Sequence, residues 1–128
     1  MTTDFTTPLV FAAHGTADQA LSGQKTVTRR LARRAGEPCR WRTGALSRIY
    51  RRSPRAQGRP IGEVRIVSVQ LERLDDISLE EVAREGFAGM SVGDFLALFK
   101  QLHGEHAGAW LVWRIEFARE SVYAGVRT

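Results

Sequence analysis

The stretch SGQKTVTRR, residues 22–30, sets a glycine where a helix can end and then runs through a lysine, two threonines and two arginines without an acid. The β-branched run Thr26, Val27, Thr28 favours an extended strand. In an ideal pleat Lys25, Val27 and Arg29 share one face, and Thr26, Thr28 and Arg30 share the other. Upstream, Pro8 to Ala13 is apolar enough for a short buried strand, and Thr16 followed by Gln19 forms a capping-box pattern. The spacing predicts a helix over roughly 17–22, which Gly23 ends.

Downstream, IGEVRIVSVQLERL at 61–74 alternates apolar and polar residues with one break in phase at Ile66 and Val67, the pattern of a long strand carrying a bulge. Ser78 with Glu81 opens a helix that runs to about Glu85. Ser91 with Asp94 opens another, along which Phe95, Leu98, Phe99 and Leu102 recur at helical spacing as core residues. AWLVWRIEFAR, residues 109–119, alternates as a closing strand, and a frayed tail is expected over 120–128. Strands separated by a few short helices predict an α+β fold, a small curved sheet or partly closed barrel with helices at its ends. A doubly wound parallel sheet is disfavoured because the helical segments are too few to cover both of its faces.

The chain of 128 residues fits one domain, 1–128, with a core over about 11–117, and can bury that core without metal or disulfide staples. No apolar run approaches the ~20 residues of a membrane-spanning helix, so no membrane partner is expected. Met1 to Val10 has no positive charge ahead of a hydrophobic segment and does not read as a secretory signal, and the single Cys39 cannot form an internal disulfide. A cytoplasmic location is expected on both grounds.

The net charge is +5, and its distribution is uneven. Between Lys25 and Arg59 there are twelve basic residues and one acid, Glu37. Arginine dominates, and arginine pairs bidentately with phosphate and stacks on bases. Residues 31–60 form an Arg-rich excursion, partly mobile by expectation, in which CRWRTG and SRIYRR are the only strand-like pieces. Trp41 and Tyr50 lie among these arginines, either as stacking platforms for single-stranded nucleic acid or as barrel core. The candidate nucleic-acid contacts are Arg29, Arg30, Arg33, Arg34, Arg40, Trp41, Arg42, Arg51 and Arg52.

Other chemistries find little support. His103 and His106 are three apart with His14 remote, and Cys39 has no CxxC partner, so neither a metal site nor a cofactor is expected. There is no Walker pattern or GxGxxG, and no serine sits in a nucleophile elbow.

Gly23, Lys25, Thr28 and Arg30 resemble, position by position, the signature of the ASCH domain family, Gly-x-Lys-x-x-Glu-x-Arg, in which Thr often stands for the Glu. The likeness extends to LSG before the motif, to IGEVRIVSVQLERLDDI, to EVAREGFAGMSVGDF and to WRIEF, covering roughly Phe11 to Phe117. It implies a PUA-like fold, a small β-barrel flanked by short helices, that handles RNA, nucleosides or coregulator complexes. One small bacterial branch hydrolyses N4-acetylcytidine to cytidine with a Lys, a Thr and a Glu. By resemblance these roles fall on Lys25, Thr28 and, through the REGF segment, Glu85. Another branch is a ribonuclease.

Two functions are therefore expected of the chain. One is a binding module for RNA, another nucleic acid or a nucleobase, through a Lys/Thr/Arg-lined cleft and the basic segment. The alternative is a hydrolase of a nucleoside or RNA, an N4-acetylcytidine amidohydrolase or a ribonuclease, that uses Lys25, Thr28 and Glu85. The basic face could equally meet an acidic protein partner. The Arg-rich excursion is longer than in the compact deacetylating branch, which favours a polynucleotide. Glu85 near a helix C-terminus opposes the macrodipole and calls for a cationic partner such as Lys25 or Arg30. Lys25 is out of phase with Thr28 and Arg30, so a bulge, or a place on the turn before the strand, must bring it round.

Overall fold

The computed structural model describes residues 4–12, 15–32, 36–104 and 111–124. Among these described residues five strands and three helices follow in the order β1 (Leu9–Val10), α1 (Thr16–Ser22), β2 (Val27–Leu31), β3 (Leu46–Tyr50), β4 (Pro60–Arg73), α2 (Leu79–Arg84), α3 (Val92–His103) and β5 (Leu111–Val122). Short 3-10 turns lie at Pro54–Ala56 and Leu74–Asp76. The strands make one mixed sheet in the order β1-β3-β4-β5-β2, with only the β1–β3 pair parallel. This is an α+β architecture whose sheet curls into a half-barrel. Among the described residues no helix is long and apolar enough to cross a membrane.

The long β4 is the spine, paired with β3 along its first half and with β5 throughout. Its register against β5 slips between Ile66 and Ser68, which leaves Val67 as the extra residue and turns it outward, 47% exposed. The break in apolar phase marks this bulge, the device by which a sheet bends. Inside the curl, Leu9, Phe11, Trp41, Ile49, Ile61, Val64, Ile66, Ile115 and Phe117 form the main core with Ala17, Ala20 and Leu21 of α1. A second cluster, Leu74, Ile77, Val82, Phe95, Phe99 and Val112, holds α2 and α3 against the sheet.

Local chemistry sets the helix ends. The Ser78 and Ser91 hydroxyls accept from the backbone N–H groups of Glu81 and Asp94, satisfying donors that α2 and α3 would otherwise leave bare. Gly23 closes α1 at φ 87°, a conformation that costs glycine nothing.

Three expectations need correction. Thr16 does not cap α1: Gly15 holds that position without a side-chain cap, and Gln19 donates instead to the Gly86 carbonyl at 3.1 Å. Within the excursion 31–60 the SRIYRR piece supplies β3, as its pattern indicates, and β3 joins β1 to β4. CRWRTG forms no strand, since Trp41 turns into the core from irregular backbone. The last strand runs on to Val122 rather than fraying from 120, because Ser121 and Val122 pair with Glu63 and Gly62.

Candidate active site

The half-barrel leaves a seam between its two outermost strands, β1 and β2. Arg30 bridges the seam by donating from NH2 to the Val10 carbonyl at 3.0 Å, and its guanidinium lies over the Phe11 ring, 4.9 Å from the centroid. Beside this bridge opens a cavity of about 190 Å³. Lys25, Thr28, Arg29, Arg30 and Glu85 supply its polar wall, and Phe11, Phe87 and the Phe95, Leu98, Phe99, Leu102 stripe of α3 supply the apolar one. A largely apolar cleft with a few converging polar groups is the usual form of a small-molecule site.

The phase problem in the motif resolves at its start. The strand begins at Val27, and Lys25 sits on the turn between Gly23 and β2, with its N–H bonded to the Gln19 carbonyl at 3.0 Å. Thr28 and Arg30 alternate as a strand requires and face the inside of the curl with Ile115 and Trp113, their partners on β5. Lys25 therefore joins them without a bulge.

Glu85 follows the last turn of α2, tied to the motif by the Thr26 N–H, which donates to the Arg84 carbonyl at 2.9 Å. Lys25 Nζ donates to Glu85 Oε1 at 3.0 Å and to the Glu85 carbonyl at 2.6 Å. The other carboxylate oxygen, Oε2, accepts from Arg29 NH1 at 3.0 Å. Lys25, Thr28 and Glu85 are all buried, 3%, 4% and 4% exposed. Burial pushes the Lys25 ammonium below its ordinary value; Glu85 opposes that shift, and the charges of Arg30 and Arg29 reinforce it.

Arg29 borders the cavity but directs its donors to carboxylates. It donates from Nε and NH2 to Glu72 Oε1 and from NH2 to Glu81 Oε1 at 2.7 Å, while Arg114 also grips Glu81. Burial works against the Arg29 charge, but Glu85, Glu81 and Glu72 more than compensate and raise its pKa. The hydrogen bond from Arg114, helped by Arg29, draws Glu81 down to about 2.

The arginines grouped by sequence as nucleic-acid contacts thus separate. Arg29 is enclosed by three carboxylates and has no exposed guanidinium for a phosphate, because burial selected a charged partner for each donor. Trp41 is 6% exposed and belongs to the core, the alternative left open for it, so its ring face is closed to a base. Arg51 pairs with Asp18 and Arg42 with Asp4. Arg40 and Arg52 are exposed, Arg30 lines the cavity, and Arg33 and Arg34 lie outside the described residues. His103 also lines the cavity, against Phe99 with ring centroids 4.4 Å apart, while His14 and His106 lie outside the described residues. No group of three metal-ligating side chains occurs among the described residues.

Sequence reasoning missed the carboxylate network around Arg29 and the pocket face of α3. The apolar stripe of α3 signalled only burial, and nothing local distinguishes a core wall from a ligand wall.

This geometry can be set beside known proteins. No protein-family model and no curated protein matches the sequence. Solved structures do match. An ASCH domain from Lactobacillus crispatus superposes with a TM-score of 0.69 at 21% identity, covering 91% of this chain and 79% of that one. The chain has the ASCH-domain fold. The ZmASCH protein of Zymomonas mobilis, solved as a point variant, gives a TM-score of 0.60 at 17% identity over 94% of this chain and 73% of its own. A DUF984 protein from Enterococcus faecalis gives 0.64 at 16% identity over 98% and 88%. The α+β half-barrel is thus the PUA-like architecture that the motif implied.

Proposed function

We propose that the chain is an ASCH-type amidohydrolase whose seam pocket takes an acylated nucleobase, with N4-acetylcytidine as the model substrate. The observation that carries this reading is the contact of Lys25 Nζ with Glu85 Oε1 at 3.0 Å inside a cavity that Thr28 also lines. The nucleophile, its base and a proton carrier then stand along one wall, as a covalent acyl transfer needs.

In this scheme Thr28 Oγ1 attacks the acyl carbonyl carbon and its proton passes to neutral Lys25, whose burial favours that form. The Lys25–Glu85 contact relays the proton to the exocyclic nitrogen of the base. The C–N bond breaks, the amine departs protonated, and an acyl ester remains on Thr28. Water attacks that ester with Lys25 again as base, releasing the carboxylic acid and restoring the threonine. Arg30 and the Phe11 ring face offer the base a planar neighbour, while Phe87, Phe95 and Phe99 limit access of water from the α3 side.

Chromatographic detection of cytidine released from N4-acetylcytidine tests the proposal. Turnover should be lost in Thr28→Ala and Lys25→Ala proteins that retain the native circular dichroism spectrum. Undiminished turnover in either variant overturns the mechanism. Nucleobase binding without any turnover by the unmodified chain would leave a binding module at the same pocket.

A further inference from the structure

Lys25 and Glu85 both stand outside regular elements, one on the turn before β2 and the other just past the last turn of α2. Helix and ladder geometry therefore leave the gap between them open, and the Thr26–Arg84 backbone bond ties the two segments only at one point. Gln19 of α1 reaches both. Its carbonyl accepts the Lys25 N–H at 3.0 Å, and its side chain donates from Nε2 to the carbonyl of Gly86, the residue after Glu85, at 3.1 Å. A carbonyl can only accept, so the amide nitrogen must face Gly86.

The carbonyl that Gln19 holds is one peptide unit beyond the Glu85 carbonyl, which accepts Lys25 Nζ at 2.6 Å. The setting of that short segment thus decides whether the lysine meets the Glu85 carbonyl and Oε1 together. The support behind it is firm, because Ala17, Ala20 and Leu21 seat α1 in the main core. The packing is close as well: a Cβ on Gly86 would fall 2.2 Å from Gln19 Oε1 and 3.5 Å from Lys25 Cβ.

Stability alone gives no reason for a glutamine here. Gln19 Oε1 is buried and meets no donor among the described residues, a cost that an apolar side chain of the same length would not carry. Gln19 is also absent from the cavity wall, so its amide acts on the site through Lys25 and the Glu85 segment. We infer that Gln19 is a positioning residue of the seam site, which holds the Lys25 turn and the Glu85 segment at the separation where lysine and carboxylate engage. Its effect on turnover rests on the amidohydrolase reading; its effect on the Lys25–Glu85 contact does not.

Two variants withdraw the donor by different means. Gln19→Met keeps the length of the side chain and removes the N–H, and Gln19→Asn draws the amide back by one methylene. In proteins that keep the native circular dichroism spectrum, each should lower kcat for N4-acetylcytidine about ten-fold and leave KM unchanged. Nitrogen NMR of Lys25 Nζ reads the same contact without turnover. Glu85 raises the Lys25 midpoint while Arg30 and Arg29 lower it, so a loosened Glu85 should move the midpoint down in both variants. A midpoint that stays in place in the folded variants overturns the inference, whether or not the unmodified chain turns over. A raised KM at constant kcat also overturns it, because that pattern puts Gln19 in contact with the ligand. A midpoint that falls in a chain without turnover upholds the inference and overturns the amidohydrolase reading alone.

Discussion

Arg29 and Arg30 are consecutive in the chain and serve opposite faces of β2: the first is locked among Glu72, Glu81 and Glu85, the second stacks on Phe11 and bridges the seam to Val10. Strand alternation alone separates a structural guanidinium from one that can meet a ligand.

That division predicts unequal costs. Arg29→Met leaves buried carboxylates facing one another and should destabilise the fold by about 3–5 kcal/mol, as breaking a buried ion pair does. Arg30→Met removes one hydrogen bond to a carbonyl and should cost about 1–3 kcal/mol while weakening ligand binding. Urea denaturation of both variants checks the order, and equal losses would refute it.

A second prediction concerns pH. Burial holds the Lys25 ammonium below 10.5, with Glu85 opposing the shift. Removing that opposition in Glu85→Gln should move the Lys25 midpoint lower still, readable by nitrogen NMR of Nζ. The unfolded chain binds the extra proton between the folded midpoint and 10.5, so Lys25 makes stability rise with pH across that window. A midpoint that rises in Glu85→Gln would contradict this electrostatic account.

Glu81 should act in acid. Its folded pKa of about 2 lies below the ordinary 4.5, so its contribution to stability is fully present above 4.5 and is lost as pH falls toward 2. Glu81→Gln should therefore be less stable than the unmodified chain at pH 7, with the difference shrinking below pH 4.5 and nearly gone by about pH 2. Thermal melts across that range provide the measurement, and a gap that stays constant down to pH 2 would count against it.

Gly86 is held at φ 99°, and a Cβ there would lie 2.2 Å from Gln19 Oε1, next to Glu85. Gly89 has a similar φ of 89° and open space. Alanine at either position should cost about 1–3 kcal/mol in backbone strain. Only Gly86→Ala should also displace Glu85 and depress kcat, so a matched fall in activity for Gly89→Ala would remove Gly86 from the site.

What the sequence made legible was local. The serine caps of α2 and α3, the glycine that ends α1 and the bulge at Val67 each depend on neighbours within a few residues, and each is where the pattern indicates. The convergence of Lys25, Thr28 and Glu85 was readable only through the motif, because Lys25 meets Glu85 across 60 positions of chain. The roles of Arg29 and Trp41 were not legible. A basic residue in a basic stretch gives no sign that its carboxylate partners arrive from β4 and α2, and a tryptophan among arginines gives no sign of which side of the backbone is inside.

The position of β2 at the end of the sheet has a consequence for how the protein comes into being. Among the described residues its ladder partner is β5, with Val27 opposite Glu116 and Leu31 opposite Val112. Pairings so far apart in sequence close late, because loop entropy opposes them until the intervening strands are in place. During synthesis the motif emerges early, yet it has no strand to lie against until the last one leaves the ribosome. The site-bearing strand is thus among the final pieces to dock, and a chain truncated before β5 should retain its lysine, threonine and glutamate without ever assembling them.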